Sequence, residues 1–186
     1  GLGNLTNVGG ALGISGNAHL SSLQGLDNVS SVGLTNPRGG YLSIRNNETL
    51  TNLDGLLNIT HVEGYLVIGS NNALTNLNGL ANVEVVVGDL YVEYNSLLTN
   101  IDGLVSVTVV GAVPGENQWT GGDLVIRNNA KLVNVDGLSN LAFVAGDLGV
   151  SYNGSLGDCT SIAYVLGWPD GPPKDYVYDD IDIRFN

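Results

Sequence analysis

The chain has 186 residues, 43% apolar side chains and a formal net charge of −12 at pH 7, from 6 basic and 18 acidic residues. This length fits one domain, and the acidic excess excludes direct binding of nucleic acid or an anionic membrane surface, since both require clustered Lys and Arg. The single cysteine excludes an internal disulfide, and no apolar run approaches the ~20 residues of a membrane-spanning helix, so no membrane insertion is expected.

The first residues resemble the middle of the repeat that follows. Residues 1–5 align with residues 25–29, so the chain starts halfway through a repeat unit without a recognisable cap. Repeat arrays usually need a cap at both ends. We expect either that residues upstream are missing or that another chain covers this end.

The main feature of the sequence is a repeat of 24 residues. A leucine that opens the unit serves as its marker, and successive markers are separated by 30, 24, 24, 34 and 24 residues. Such a row of near-copies predicts a solenoid, because one unit cannot bury its apolar face alone. The marker leucines are Leu12, Leu42, Leu66, Leu90, Leu124 and Leu148.

Each unit begins with an alternating L-x-I pattern, which predicts a short strand. Strands separated by one full turn of a solenoid pair in parallel, and such crossovers are right-handed. The sequence therefore predicts a mainly β fold: a right-handed parallel β-solenoid of about six coils of 24 residues, over residues 1–157.

An asparagine stands five residues after every marker. Where the chain turns after a strand, its backbone polar groups need partners, and a buried amide supplies a donor and an acceptor. We expect a structural ladder, with no catalytic role, formed by Asn17, Asn47, Asn71, Asn95, Asn129 and Asn153. The glycines of the later Asp-Gly or Asn-Gly pairs, such as Gly55 and Gly79, are expected at a second corner with positive φ.

These motifs carry a resemblance. The Gly-Asp-Leu-x-Ile/Val pattern, the asparagine and the Thr-Asn-Leu-Asp-Gly-Leu run resemble the receptor L-domain family of leucine-rich repeats. That family includes ligand-binding modules of insulin-type and epidermal-growth-factor-type receptors and many microbial surface proteins. Its animal members are usually disulfide-capped, so a chain with one cysteine is more similar to the microbial ones. The resemblance implies a non-enzymatic binding or adhesion module, secreted or on the cell surface.

Aromatic side chains gather on one predicted face. Five tyrosines lie on or beside the first strand of their units, and Trp119 lies in a loop inserted before that strand. Tyrosine combines contact area with a polar tip, as binding surfaces do, although aromatics also favour strands for their own sake. The predicted site, for a protein or glycan ligand, comprises Tyr41, Tyr65, Tyr91, Tyr94, Trp119 and Tyr152.

Two insertions interrupt the period, near residues 33–39 and 112–121. Both precede the first strand of a unit and should project from one edge as a recognition rim. An equally open alternative is that Trp119 folds down over the sheet.

Three carboxylates share one column of the predicted sheet: Asp89, Asp123 and Asp147. At a strand spacing of ~5 Å they would repel, and a bound calcium ion would relieve this. Carboxylate clusters also occur in hydrolases, but the likeness to the family pattern favours a solvated row without a cofactor.

The C-terminal residues 158–186 are predicted to form a cap and a tail strand. Residues 158–166 have helical spacing that begins with a helix-capping aspartate, and residues 176–185 alternate like a final strand. That strand could cover its own sheet edge or a neighbour's. The second reading predicts a different function: a self-assembling structural subunit of a surface filament or matrix.

Overall fold

The structure is a computed structural model that describes residues 2–33, 40–111, 121–162 and 181–184. These residues form a mainly β protein in which the strands of successive repeats stack into two parallel sheets. The predicted parallel, repeating β architecture is confirmed at this level, and the arrangement is consistent with a parallel β-solenoid.

Seven strands of four residues make up the first sheet, here named the long-strand sheet. They are β2 (Leu12–Ser15), β4 (Leu42–Arg45), β6 (Leu66–Gly69), β8 (Leu90–Glu93), β10 (Leu124–Arg127), β12 (Leu148–Ser151) and β13 (Ile181–Arg184). Their order in the sheet is β13-β12-β10-β8-β6-β4-β2. All pairs are parallel and in register, so each marker leucine lies opposite the next, as Leu66 does Leu90.

The second sheet has six strands of two residues. They are β1 (Asn7–Val8), β3 (Ser31–Val32), β5 (His61–Val62), β7 (Val85–Val86), β9 (Val109–Val110) and β11 (Phe143–Val144), in that spatial order. The closing valine of each strand from β3 onward is fully buried. These valines join the marker leucines in one hydrophobic cluster, so the core lies between the two sheets.

Within the described ranges, five 3₁₀ helices complete the repeats: Asp54–Leu56, Asn78–Leu80, Asp102–Leu104, Asp136–Leu138 and Thr160–Ile162. The first four contain the glycine for which we predicted a positive φ, and that prediction is wrong, because none of the four has one. The glycine is needed for space instead. A Cβ at Gly79 would lie 1.8 Å from the carbonyl oxygen of Leu53 in the preceding repeat.

Positive φ occurs at a different corner, directly after each long strand up to β12. The residue before each ladder asparagine has φ near 55–72°, and in five of these six corners it is not glycine. We name this position the left-handed corner; it is occupied by Gly16, Asn46, Ser70, Tyr94, Asn128 and Tyr152. The sequence gives little sign of it, since two of its occupants are tyrosines, which rarely adopt this conformation.

The asparagines after this corner form a continuous hydrogen-bonded ladder. The Asn71 N–H donates to Asn95 Oδ1 at 3.0 Å, and Asn71 Nδ2 donates to the Ile44 carbonyl at 2.9 Å. The same bonds recur from repeat to repeat. Five members are buried, but Asn17 is exposed, because no described repeat lies on its outer side.

The structure describes two parts of the C-terminal segment, residues 158–162 and 181–184. Thr160–Ile162 is a 3₁₀ helix that packs beside Asp136–Leu138, as the equivalent helices of earlier repeats do, and the rest of the predicted capping helix lies outside the described residues. Strand β13 pairs in parallel with β12 of its own chain, with Ile181 opposite Leu148. A sequence signal for this register exists, since Ile181, Ile183 and Asn186 repeat the L-x-I-x-x-N spacing.

Both insertions lie almost wholly outside the described residues, and so does Trp119. Their bases are described and are formed by glycine pairs. A Cβ at Gly40 would lie 2.4 Å from Gly33 Cα, and one at Gly122 would lie 2.3 Å from Gly111 Cα. Close backbone approach at these pairs lets the repeat continue in register on either side of each insertion.

Candidate binding site

The outer face of the long-strand sheet carries the predicted site residues in columns, because its strands are parallel and in register. The position before the marker leucine holds Tyr41, Tyr65, Asp89, Asp123 and Asp147 in successive repeats. The position after the marker adds Tyr91, which lies between Val67 and Val125 on the neighbouring strands. Two of the predicted tyrosines therefore neighbour each other, and the third stands one repeat further.

Tyr41 and Tyr65 stack face to face. Their ring centroids are 4.5 Å apart and the ring planes differ by 7°. Stacked rings restrict each other's rotamers, so the pair presents a preformed aromatic wall. Tyr65 remains 39% exposed, which leaves ring surface available for contact.

A shallow concavity of about 470 Å³ opens beside this wall. We name it the tyrosine concavity. Tyr41, Tyr65 and Tyr91 supply its aromatic surface, while Gly13, Ser15 and Ser43 form a low side on β2 and β4. Arg45, Val67 and Asp89 complete the lining. The volume falls in the range of small-molecule sites.

Tyr91 and Asp89 are linked at one end of this concavity. Burial raises the pKa of Tyr91 to about 12, with further contributions from the negative charges of Asp89 and Asp123 and from a side-chain hydrogen bond to Asp89. The phenol therefore stays protonated at neutral pH and remains a hydrogen-bond donor. Sequence reasoning chose Tyr91 for contact area and missed this link.

The three aspartates form a ladder of their own. The Asp123 N–H donates to Asp89 Oδ1 at 3.0 Å, and the Asp147 N–H donates to Asp123 Oδ1 at 3.0 Å. These backbone donors offset part of the repulsion between the three carboxylates, which was the reason for considering a calcium ion there. Among the residues that the structure describes, no group of three or more His, Cys, Asp or Glu side chains could hold a metal ion.

Glu93 forms salt bridges with two arginines and is not part of the aspartate row. Its side chain is 8% exposed; Oε1 lies 3.1 Å from Arg45 Nη2, and Oε2 lies 2.7 Å from Arg127 Nη2. The hydrogen bond from Arg127 to this carboxylate raises the pKa of the guanidinium. This ion-pair network borders the tyrosine concavity through Arg45, and sequence reasoning missed it.

Tyr94 and Tyr152 do not line the tyrosine concavity. Both occupy the left-handed corner at the far end of their strands, where they are 48% and 50% exposed. The Tyr94 ring lies under the Arg127 guanidinium, 5.8 Å from its centroid, within the range of a cation–π contact. The structure therefore divides the predicted tyrosine set into two groups.

A second, apolar concavity of about 350 Å³ lies at the first described repeat. Leu2, Leu20, Leu23 and Leu26 line it together with Ile14. Leu2 is 58% exposed, and Ile14 and Leu20 are only partly buried against the core, so apolar surface reaches solvent at this end.

Comparison of the chain with protein-family models, with curated proteins and with solved structures finds no match in any of the three. In the described part of the chain, no helix has the length and apolar character needed to span a membrane.

Proposed function

We propose that this chain is a non-enzymatic binding or adhesion module, secreted or displayed on a cell surface, which recognises its ligand at the tyrosine concavity. In this proposal the fold is a right-handed leucine-rich-repeat solenoid of about six coils, of the receptor L-domain type. The repeat spacing and the in-register parallel sheets support that fold.

One observation carries the binding proposal. Tyr41 and Tyr65 are stacked as a preformed wall beside a concavity whose other aromatic member, Tyr91, has its hydroxyl bonded to Asp89. Aromatic surface with a few placed polar groups is the usual composition of a ligand site. A preformed wall also lowers the conformational entropy that binding must overcome.

We assign no reaction and no calcium ion to the aspartate row. Oxygens of Asp89 and Asp123 accept backbone N–H groups of the next repeat, which gives these carboxylates a structural role within the sheet. Asp89 contacts the concavity through Tyr91 and acts in this proposal as a polar group of the binding surface.

The proposal is tested with an array of glycans and extracellular proteins, probed with the chain, a Tyr41→Asn/Tyr65→Asn double variant and a Tyr152→Asn control. We expect at least one ligand that the double variant no longer captures and that the control still captures. Thermal unfolding shows whether both variants fold. Capture that survives in the folded double variant, or no capture by the unaltered chain, would overturn the proposal.

Self-assembly into a filament or matrix is the second candidate. The exposed apolar concavity around Leu2 and Leu20 favours it, because a second chain packed there would bury this apolar surface. Strand β13 pairs with β12 of its own chain. This pairing weighs against assembly in which β13 pairs with a neighbouring chain. Light scattering over a concentration series tests this candidate: a mass that stays constant at the monomer value rules assembly out.

A further inference from the structure

In the part of the chain that the structure describes, the lining of the tyrosine concavity carries one positive and one negative side chain. These side chains are Arg45 and Asp89. Arg45 is also engaged by the buried carboxylate of Glu93, and an oxygen of Asp89 accepts the Asp123 N–H. Neither charge is therefore offered alone to a ligand. A strongly cationic ligand would meet Arg45, and a strongly anionic one would meet Asp89.

The polar groups of the lining suit a ligand rich in hydroxyls. Ser15 and Ser43 carry hydroxyls that both donate and accept. The Tyr91 phenol donates its hydrogen bond to Asp89, and its oxygen and the Asp89 carboxylate accept. Arg45 adds N–H donors. A ligand of alternating donors and acceptors finds partners here without needing a net charge.

The aromatic groups suit a ligand with flat apolar patches. The parallel rings of Tyr41 and Tyr65 form one side, and Tyr91 lies one repeat further along the sheet. Gly13, Ser15 and Ser43 add only small side chains to the lining, and the concavity is open to solvent. An open, shallow site of this kind suits part of a chain better than an enclosed small molecule.

We propose that the tyrosine concavity binds a neutral oligosaccharide, with sugar C–H faces against Tyr41, Tyr65 and Tyr91 and sugar hydroxyls on Ser43, Arg45 and Asp89. A neutral sugar chain combines apolar ring faces with hydroxyl donors and acceptors and adds no charge. This inference rests on the proposed binding function and specifies the ligand class of the same site.

The test is calorimetric titration of the full chain with hexasaccharides of glucose, mannose and N-acetylglucosamine, with poly-lysine and poly-glutamate as charged probes. We expect one of the neutral hexasaccharides to bind with an affinity that does not change between low and high salt, since no net charge is paired. Tyr65→Asn should weaken this binding at least about tenfold, which corresponds to 1.4 kcal/mol. Tyr152→Asn, a matched change of an exposed tyrosine outside the concavity, should leave it unchanged.

The failures are distinguishable. If no hexasaccharide binds at millimolar concentration, the oligosaccharide inference is overturned. The proposed function then survives only if a charged probe, or a protein from the array, binds the unaltered chain and is lost in the Tyr41→Asn/Tyr65→Asn variant. Saccharide binding that Tyr65→Asn leaves intact overturns the assignment to this concavity, and a marked salt dependence overturns the neutral ligand class.

Discussion

Arg45 reaches Glu93 across an intervening strand. Arg45 belongs to β4 and Glu93 to β8, and β6 lies between them; its residue in that column is Gly69. Because Gly69 has no side chain, Arg45 Nη2 approaches Glu93 Oε1 to 3.1 Å. Glu93 also binds Arg127 on its other side, so one carboxylate links β8 to β4 and β10.

Replacing Glu93 should therefore lower stability. Glu93→Gln keeps the shape but removes the charge that both arginines contact. We expect a loss of about 1.5–2 kcal/mol in the free energy of unfolding, the lower part of the range for charged hydrogen bonds, because both arginines are partly exposed. Urea unfolding measures it, and Glu48→Gln, an exposed glutamate, is the control. Equal midpoints for the two variants would contradict a role for the network.

The glycine of the 3₁₀ helices is required for space. Gly79→Ala places a Cβ 1.8 Å from the Leu53 carbonyl oxygen, so the two repeats must separate. We expect a loss of ~3 kcal/mol or more, or failure to fold. Gly154→Ala is the matched control, since nothing lies within 4 Å of its added Cβ.

Gly79→Asn separates this explanation from the one we first predicted. Asparagine tolerates positive φ, so a stable Gly79→Asn variant would favour the conformational explanation. We expect it to be at least as unstable as Gly79→Ala, as measured by thermal unfolding.

Removing one ladder asparagine should leave buried polar groups without partners. Asn95 accepts the Asn71 N–H and donates to the Ile68 carbonyl, and all of its side chain is buried. Each orphaned group costs about 1–3 kcal/mol, so we expect Asn95→Ala to lose ~3 kcal/mol or more in urea unfolding. Asn72→Ala, an exposed neighbour of the ladder, should change little. Similar losses for the two would argue against the ladder as a major stabilising feature.

Tyr91 makes stability fall at high pH. Its pKa is about 12 in the folded chain and near the ordinary 10 in the unfolded one, so the folded state favours the protonated phenol. This contribution is complete below pH 10 and is lost as the pH rises from 10 to 12. We expect Tyr91→Phe to flatten the decline in unfolding midpoint over that range. A phenolate absorbance titration of Tyr91→Phe that still contains the highest-pH component would contradict the assignment.

Tyr152 tests strain at the left-handed corner. Its φ of 56° is unfavourable for an aromatic residue, whereas asparagine occupies the same position in two other repeats. We expect Tyr152→Asn to raise the free energy of unfolding by about 0.5 kcal/mol. Tyr65→Asn, where no positive φ is present, should give no such gain. A destabilised Tyr152→Asn would show that the ring makes contacts worth more than the strain.

Much of the fold was predictable because the repeat can be recognised from the spacing of residues in the sequence. The 24-residue period and the L-x-I alternation predicted parallel strands, and the invariant asparagine predicted a ladder that the structure shows as hydrogen bonds. The role of Gly79 was predicted wrongly. A glycine can be required for a positive φ or for close backbone contact, and the sequence does not distinguish the two.

The binding site was predictable only in part. Columns on a sheet follow from the period, so Tyr41, Tyr65 and Tyr91 could be placed on one face from their positions. The rotation of each ring, the low side formed by Gly13 and Ser43, and the separation of Tyr94 and Tyr152 depend on side-chain geometry.

The sequence alone determined the period, the parallel stacking and the buried columns, because these follow from which residues recur at a fixed spacing. Only the tertiary structure decided that Arg45 forms a salt bridge with Glu93 across Gly69. It also decided that the aspartates accept hydrogen bonds from backbone N–H groups, and that two stacked tyrosines border a concavity. The physical reason is distance. Residues 24 or more positions apart come within contact only when repeats stack, and which atoms then meet depends on rotamers and on the space that small neighbours leave.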